Sequence, residues 1–256
     1  MTAVWALARL VFKEIFRKKD FYVAFILLAV ILMYVSQMRI YDVANIGRYV
    51  REVGLSLIYL FSVFLTVPLA ARQIPSEVER RTLPVLLSKP VTRAEFLLGK
   101  FCGAALAGLA CFLIFIAAFT AVASIGAGVP PVITLLQTVY LFALCLALLA
   151  AFAIGLSNYV TMTANVTLSM MLYFAMSLYG EKLDLMSRAS AGAGRWFGLA
   201  AYYVFPHLEF FDTRQRLIHD WEPLPWKLVG LLTAYAVCYS ALFLLAGWLK
   251  LRRRVI

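Results

Sequence analysis

Residues 101–180 read FCGAALAGLACFLIFIAAFTAVASIGAGVPPVITLLQTVYLFALCLALLAAFAIGLSNYVTMTANVTLSMMLYFAMSLYG and contain no Asp, Glu, Lys, Arg or His. A helix needs about 20 apolar residues to cross a bilayer, so this stretch has room for three spans. Pro130-Pro131 interrupts it once, and the polar group Ser157-Asn158-Tyr159 interrupts it again. The stretch therefore predicts three membrane helices joined by two short connections.

The whole chain has the same character. Of its 256 residues, 64% are hydrophobic and only 14% are charged, and the mean hydropathy is +0.87. This composition excludes a water-soluble globular domain. We predict an all-α membrane protein, one transmembrane domain over residues 1–256 with six transmembrane helices. The predicted spans are Phe21–Met38, Leu55–Ala71, Phe101–Ile125, Val132–Ser157, Thr163–Tyr179 and Leu228–Leu249.

The distribution of positive charge predicts the orientation. Segments on the side of the two termini carry 15 Lys and Arg residues, and segments on the other side carry 9. Basic residues are enriched in cytoplasmic segments, so both termini are expected in the cytoplasm. The net charge of +11 then reflects topology rather than nucleic-acid binding, the other common role of a basic chain. The basic tail 250–256 is typical of an anchor beside anionic lipid.

The N-terminal segment 1–19 is amphipathic. Arg9, Lys13 and Arg17 recur every fourth residue and form a basic stripe, while apolar residues cover the other faces. This pattern predicts a helix that lies in the headgroup region of the membrane. A simple topology anchor and a contact with a partner protein both remain open as its role.

The segment 72–100 between spans two and three has its own local signals. Ser76-x-x-Glu79 and Thr92-x-x-Glu95 both have the pattern of a capping box, so two helices are expected to start there. Pro90 would end the first of them. That first helix has a polar start and an apolar end, which suits docking into a cleft of another protein. Packing of its leucines under the bundle is the alternative.

The same segment resembles a known family. From Glu77 to Lys100 it resembles the cytoplasmic signature of type-2 ABC exporter permeases, and it lies between spans two and three as in that family. The resemblance is closest to the branch that includes the permease linked to maturation of the copper enzyme nitrous oxide reductase. Arg81 departs from the pattern, since such permeases often carry Gly before the Thr. The motif reads Glu77-x-Glu79-Arg-Arg-Thr82-Leu83-x-x-Leu86-Leu87-Ser88-x-Pro90-x-Thr92-Arg93-x-Glu95-x-x-x-Gly99-Lys100.

The resemblance implies a permease subunit of an ATP-driven exporter in the bacterial inner membrane. A coupling helix in the segment 72–100 would contact a separate ABC ATP-binding subunit and convert its closure into movement of cargo. Family members contain two permeases, so a second copy is an implied partner. The ATPase contacts that the resemblance implies are Glu77, Glu79, Arg80, Arg81, Thr82, Leu83 and Leu86.

The chain itself lacks a phosphate-binding loop. Gly99-Lys100 has neither the preceding Gly nor the following hydroxyl that such a loop requires. We therefore expect no catalytic residue and no cofactor in this chain, with ATP and Mg bound by the partner subunit. Gly99, Gly103 and Ala107 form a small-residue face on span three, which either pairs two protomers or packs within one bundle.

The segment 180–227 is rich in aromatic residues and balanced in charge, and predicts short amphipathic helices at the outer interface. Pro206, His207, Glu209 and Phe210 lie in a piece that resembles a turn before the last helix of related permeases. We expect an outer gate there, or a docking site for a periplasmic partner. Two histidines alone are a weak metal signal, so no metal site is expected. The cysteines are expected to be buried packing residues: Cys102, Cys111, Cys145 and Cys238.

Other function classes fit less well. The predicted spans carry no ionisable side chain, which disfavours a proton-coupled carrier. A membrane-embedded enzyme is disfavoured because the sequence has no HExxH motif and no nucleophile motif of the GxSxG type. A passive membrane anchor for an ATPase complex would share every feature above and remains an alternative.

Overall fold

The computed structural model describes residues 2–16, 19–37, 46–79, 92–124, 131–189 and 205–253. Within these ranges the chain is helical and contains no β-strand, as predicted. A short 3-10 helix spans Leu208–Phe211. The α-helices are α1 (Thr2–Phe16), α2 (Lys19–Gln37), α3 (Ile46–Ala71), α4 (Pro75–Glu79), α5 (Arg93–Ser124), α6 (Val132–Leu156), α7 (Met162–Ala189), α8 (Arg214–Ile218) and α9 (Trp226–Arg253).

In the described part of the chain, four helical stretches are long and apolar enough to cross a membrane. They correspond to predicted spans two, three, four and six. Predicted span one lies in α2, whose apolar stretch is the shorter Phe21–Ile31, and predicted span five lies in α7, which is outside the set of four. The total of six crossings stays a prediction. The four stretches are Arg51–Glu79, Arg93–Ala121, Val132–Leu156 and Trp226–Arg252.

Several helices extend beyond the predicted spans. Helix α5 begins at Arg93 rather than Phe101, and α7 continues to Ala189, beyond Tyr179. The predicted borders of these spans lie close to the charged residues Lys100 and Glu181, and charged residues mark where contact with lipid ends. A helix satisfies its own backbone hydrogen bonds, so it can continue into the headgroup region and into water. The end of α7 thus occupies part of the segment 180–227 that was predicted to form separate short helices.

The two predicted capping boxes have different outcomes. At α5 the prediction is confirmed: the Glu95 carboxylate accepts from the Thr92 amide at 2.8 Å, and the Glu95 amide donates to Thr92 Oγ1 at 3.2 Å. At α4 a helix does start at the predicted place, at Pro75, but the predicted cap is wrong, because the Ser76 amide donates to the Arg72 carbonyl at 3.0 Å. The turn after α3 supplies acceptors for these amides, so no side-chain cap is needed.

Helices α3, α5 and α6 form the centre of the bundle around an aromatic cluster. The ring centroids of Tyr59 and Phe142 lie 3.6 Å apart, and those of Phe112 and Phe142 lie 4.7 Å apart. Cys111 and Cys145 are buried nearby and unpaired, as predicted. The prediction is wrong for Cys238, which is exposed on α9, and Cys102 is half-buried. A residue in an apolar membrane helix can face either lipid or the protein core. Sequence hydropathy does not distinguish these two positions.

Helices α6 and α9 cross at two glycines. A Cβ atom on Gly155 would lie 2.4 Å from the Phe243 carbonyl oxygen, and one on Gly247 would lie 2.9 Å from the Cα atom of Gly155. Only glycine permits this approach. Just beyond the crossing, the Asn158 side-chain amide donates to the Gly247 carbonyl at 3.1 Å. The last helix is thereby fixed against the centre of the bundle.

Candidate functional site

Helix α1, the turn after α3, the start of α5 and the end of α9 meet at one end of the bundle, which we call the terminal end. Glu14 on α1 lies 3.7 Å from the Arg72 guanidinium and accepts from the Gln73 side-chain amide at 3.4 Å. These contacts connect the N-terminal helix to the turn that leads into α4. The terminal end contains the segment for which the sequence predicts a partner contact.

Glu77 of α4 is bonded to the bundle. Its carboxylate lies 2.7 Å from the Lys100 ammonium on α5, and the two side chains are only 21% and 9% exposed. The ammonium also lies 5.7 Å from the centroid of the Phe96 ring. This ion pair joins α4 to the second turn of α5. Glu77 therefore holds α4 against α5. Its carboxylate is less accessible to another protein than we expected from the sequence.

Glu79 is different, because it is exposed at the end of α4. Both glutamates are predicted ATPase contacts, but in the structure Glu77 is ion-paired within the chain and Glu79 is exposed. The remaining predicted ATPase contacts lie outside the described residues, and their predictions stand as made. They are Arg80, Arg81, Thr82, Leu83 and Leu86.

Arg93 is a residue of this end that the predicted site did not include. Its Nη1 atom donates to the carbonyl oxygens of Leu251 at 2.8 Å and Arg252 at 2.7 Å. The last carbonyls of a helix have no partner within the helix, so this guanidinium stabilises the end of α9. The sequence shows that Arg93 directly follows the capping residue Thr92. It could not show the role of Arg93, because the acceptors are backbone carbonyls of α9 and no side-chain pattern reveals them.

The segments directly before and after residues 80–91 are both bonded to other helices of the bundle. On one side, α4 is bonded to α5 through Glu77 and follows a turn that contacts α1. On the other side, the first residue of α5 is bonded to the end of α9. In the chain, residues 80–91 therefore stand between two segments that are bonded to the rest of the bundle.

The glycine face of α5 packs against α1 of the same chain. A Cβ atom on Gly99 would lie 2.8 Å from Leu7 Cβ, and one on Gly103 would lie 2.6 Å from Val11 Cβ. Ala107 is fully buried about one turn beyond Gly103. Of the two alternatives for this face, the structure shows helix packing within one bundle. The exposed side of α1 carries Arg9 and Lys13 together with apolar residues, as the amphipathic pattern predicted.

The four predicted gate residues lie together at the opposite end of the bundle, around the 3-10 helix. Pro206 is buried, and Phe210 is 46% exposed. The backbone amide of His207 donates to Tyr235 Oη at 2.9 Å, and its Nδ1 atom lies 4.0 Å from the Glu209 carboxylate. Burial lowers the pKa of His207 below its usual value. The geometry brings these residues together but leaves their role as a gate untested.

Residues that the sequence did not single out fix the segment around the 3-10 helix to the bundle. Arg214 is bonded to Asp212 by two nitrogens, donates to Ser56 Oγ on α3 at 3.1 Å, and lies over the Tyr59 ring at 4.9 Å. Arg51 of α3 lies 3.0 Å from the Asp220 carboxylate. Further bonds to α6 join Gln137 to Leu224 and Thr213 to Thr138. Such pairs are distant in sequence, so spacing could not reveal them.

In the described part of the chain, no group of three or more His, Cys, Asp or Glu side chains is placed to hold a metal ion. Several charged side chains at the two ends connect helices instead, among them Glu77 with Lys100, and Arg93 with the last carbonyls of α9.

Comparison with known proteins identifies the family. The model of the family described as ABC-2 family transporter protein matches residues 5–243. No curated protein matches the chain. Proteins of this family are multi-pass membrane subunits of ABC transporters, generally non-catalytic, and they work with an ABC ATP-binding partner. Because the match spans nearly the whole sequence, the chain belongs to the ABC-2 family of transporter membrane proteins.

Proposed function

We propose that this permease subunit works in an exporter and that a separate ATPase contacts the chain at α4 and the residues that follow it. The observation that carries the proposal is the arrangement of bonds around residues 80–91. Glu77 connects the segment before them to α5, and Arg93 connects the segment after them to α9. A contact placed between two such anchors is well situated to bias the bundle between two states.

In this proposal the two glutamates of α4 have separate roles. Glu79 is exposed and contacts the ATPase, while Glu77 holds α4 on the bundle through Lys100. Arg80, Arg81, Thr82, Leu83 and Leu86 would extend the contact surface, as the motif implies. Nucleotide and Mg would be bound by the partner, since this chain has no phosphate-binding loop.

The proposed setting is the bacterial inner membrane, with six crossings and both termini in the cytoplasm. The excess of basic residues on the side of the termini supports this orientation. Helix α1 would lie in the headgroup region, with Arg9 and Lys13 toward lipid phosphates. Two copies of the permease would form a homodimer, and the outer segment around His207 would serve as a gate or a contact for a periplasmic partner.

We also propose, on the motif alone, that the chain belongs to the branch linked to maturation of nitrous oxide reductase. Deletion of the gene would then lower the copper content or activity of that enzyme in the producing cell. Unchanged copper loading would exclude this branch and leave the general role as a permease untouched.

Charge reversal at Glu79 tests the proposed coupling. With the partner ATPase reconstituted beside the permease, Glu79→Lys should lower the permease-dependent ATPase rate by about tenfold, the effect of roughly 1.4 kcal/mol in a coupling equilibrium. The matched control is Glu222→Lys, since Glu222 is also exposed but belongs to the outer segment. Equal rates for both variants and the unmodified protein would contradict the proposal.

A further inference from the structure

We propose that a groove between α5, α6 and α9 binds one anionic phospholipid, with an acyl chain in the groove and the phosphate beside Arg252. The proposal requires only that the chain lies in a membrane. It does not depend on coupling to an ATPase or on the direction of transport.

The groove has the size and chemistry of a site for a hydrocarbon chain. Its volume is about 460 Å³, within the range of roughly 300–1,000 Å³ that is usual for small-molecule sites. Its lining is almost wholly apolar and offers little to a polar ligand. Side chains from three helices contribute, among them Leu97, Phe101, Leu144, Ala147, Ala241 and Trp248.

The groove lies at the edge of the bundle. In the most apolar stretch of α9, only 22% of the residues are buried within the chain, whereas 44–61% are buried in the corresponding stretches of the other three candidate spans. One wall of the groove therefore belongs to the helix with the least protein around it among these four candidate spans. A lipid can reach such a groove from the side without entering the bundle.

Positive charge lies at one mouth of the groove. Along α9, Ala241, Trp248 and Arg252 fall on one helical face, so Arg252 lies about one turn beyond Trp248, the last lining residue. Its guanidinium lies 5.5 Å from the centroid of the Trp248 ring and is exposed. Arg93 contributes a second guanidinium at the same corner, where it binds the last carbonyls of α9.

The acidic residue nearest to this mouth along α5 is Glu95, whose carboxylate is held on Thr92 in the capping box. It keeps its negative charge, but the guanidiniums of Arg93 and Arg252 outnumber it. Basic side chains at the end of an apolar groove between membrane helices suit lipid phosphates, and Trp is typical of the same depth. This combination favours a phospholipid of net negative charge over a neutral one.

Native mass spectrometry of the purified transporter with added lipid tests the proposal. Phosphatidylglycerol and phosphatidylcholine of identical acyl chains are the probes. We expect tighter binding of phosphatidylglycerol, and Arg252→Gln should weaken it about fivefold. Lys250→Gln is the matched control, because it removes the same charge two residues away on the other side of α9, where the ammonium lies 5.6 Å from the Tyr159 ring centroid. This control should bind phosphatidylglycerol as the unmodified protein does.

A second pair of variants tests the groove itself. Ala241→Trp fills the space and should reduce binding of both lipids, whereas Ala234→Trp, exposed on α9 outside the lining, should not. Equal affinity for the two lipids, or equal weakening by Arg252→Gln and Lys250→Gln, would overturn the proposal in favour of general surface charge. Dissociation of a dimer by Ala241→Trp with lipid binding unchanged would assign the groove to a second copy instead.

Discussion

At the scale of single residues, the clearest distinction is between Glu77 and Glu79. Glu77→Gln leaves the Lys100 ammonium, 9% exposed, without its carboxylate. We expect a loss of stability of about 1–3 kcal/mol, less than for a fully buried pair because Glu77 retains some solvent contact. Glu79→Gln is the matched control and should stay within about 0.5 kcal/mol, since that side chain is exposed. Thermal unfolding in the same detergent measures both.

The double variant Glu77→Gln with Lys100→Met isolates the ion pair. It should be more stable than Glu77→Gln alone, because the buried charge that lost its partner is removed. A double variant less stable than either single variant would mean that the pair does not couple α4 to α5 as described.

A second residue-scale prediction concerns pH. Burial lowers the pKa of His207, so below about pH 6.5 the unfolded chain binds a proton more readily than the folded chain does. Above that pH, His207 does not change the free energy of unfolding with pH. As the pH falls below it, His207 lowers the free energy of unfolding. The unfolding temperature should drop between about pH 7.5 and pH 5, and His207→Gln should reduce the drop. An unaltered drop in the variant would show that other groups cause it.

At the scale of helices, the contact between α1 and α5 depends on small residues. Gly103→Leu would place a Cβ atom 2.6 Å from Val11 Cβ and 2.9 Å from the Ala8 carbonyl oxygen, so α1 must move. We expect a cost of about 1–3 kcal/mol, the usual range for overpacking. A thiol introduced at the buried Ala8 should then react faster with a maleimide.

Gly230→Leu is the control for that experiment. A Cβ atom at Gly230 meets nothing within 4 Å, and the residue lies inside α9. Its substitution should leave the thiol at position 8 protected and raise helix stability by up to about 1 kcal/mol. Equal reactivity of the thiol in both backgrounds would contradict the assigned packing of α1.

Sequence reasoning succeeded where a local pattern determines the structure. The uncharged run 101–180 predicted helices, and Thr92-x-x-Glu95 predicted the start of α5, because apolar length and capping are local properties. It failed at Ser76, where the preceding turn supplied the acceptors instead. It also missed Arg93 and Arg214, since their partners on α9 and α3 are distant in the chain.

At the scale of the whole molecule, the two ends of the bundle differ in construction. At the terminal end, bonds connect α1, α4, α5 and α9 around the segment 80–91. At the opposite end, Arg51 and Arg214 fix the segment 205–225 to α3. A bundle connected in this way at both ends can respond as a unit to a partner that contacts one end. This is the property that a permease driven by a separate ATPase requires.

Photo-crosslinking at position 79 is the most direct test of that account. A photoreactive amino acid replaces Glu79 in cells that produce the whole transporter, and the same replacement at Glu222 in the outer segment is the control. We expect a crosslinked product with the ABC ATP-binding subunit from position 79 and none from position 222. Crosslinking of that subunit from position 222, or from neither position, would contradict the claim that the ATPase contacts the chain at α4.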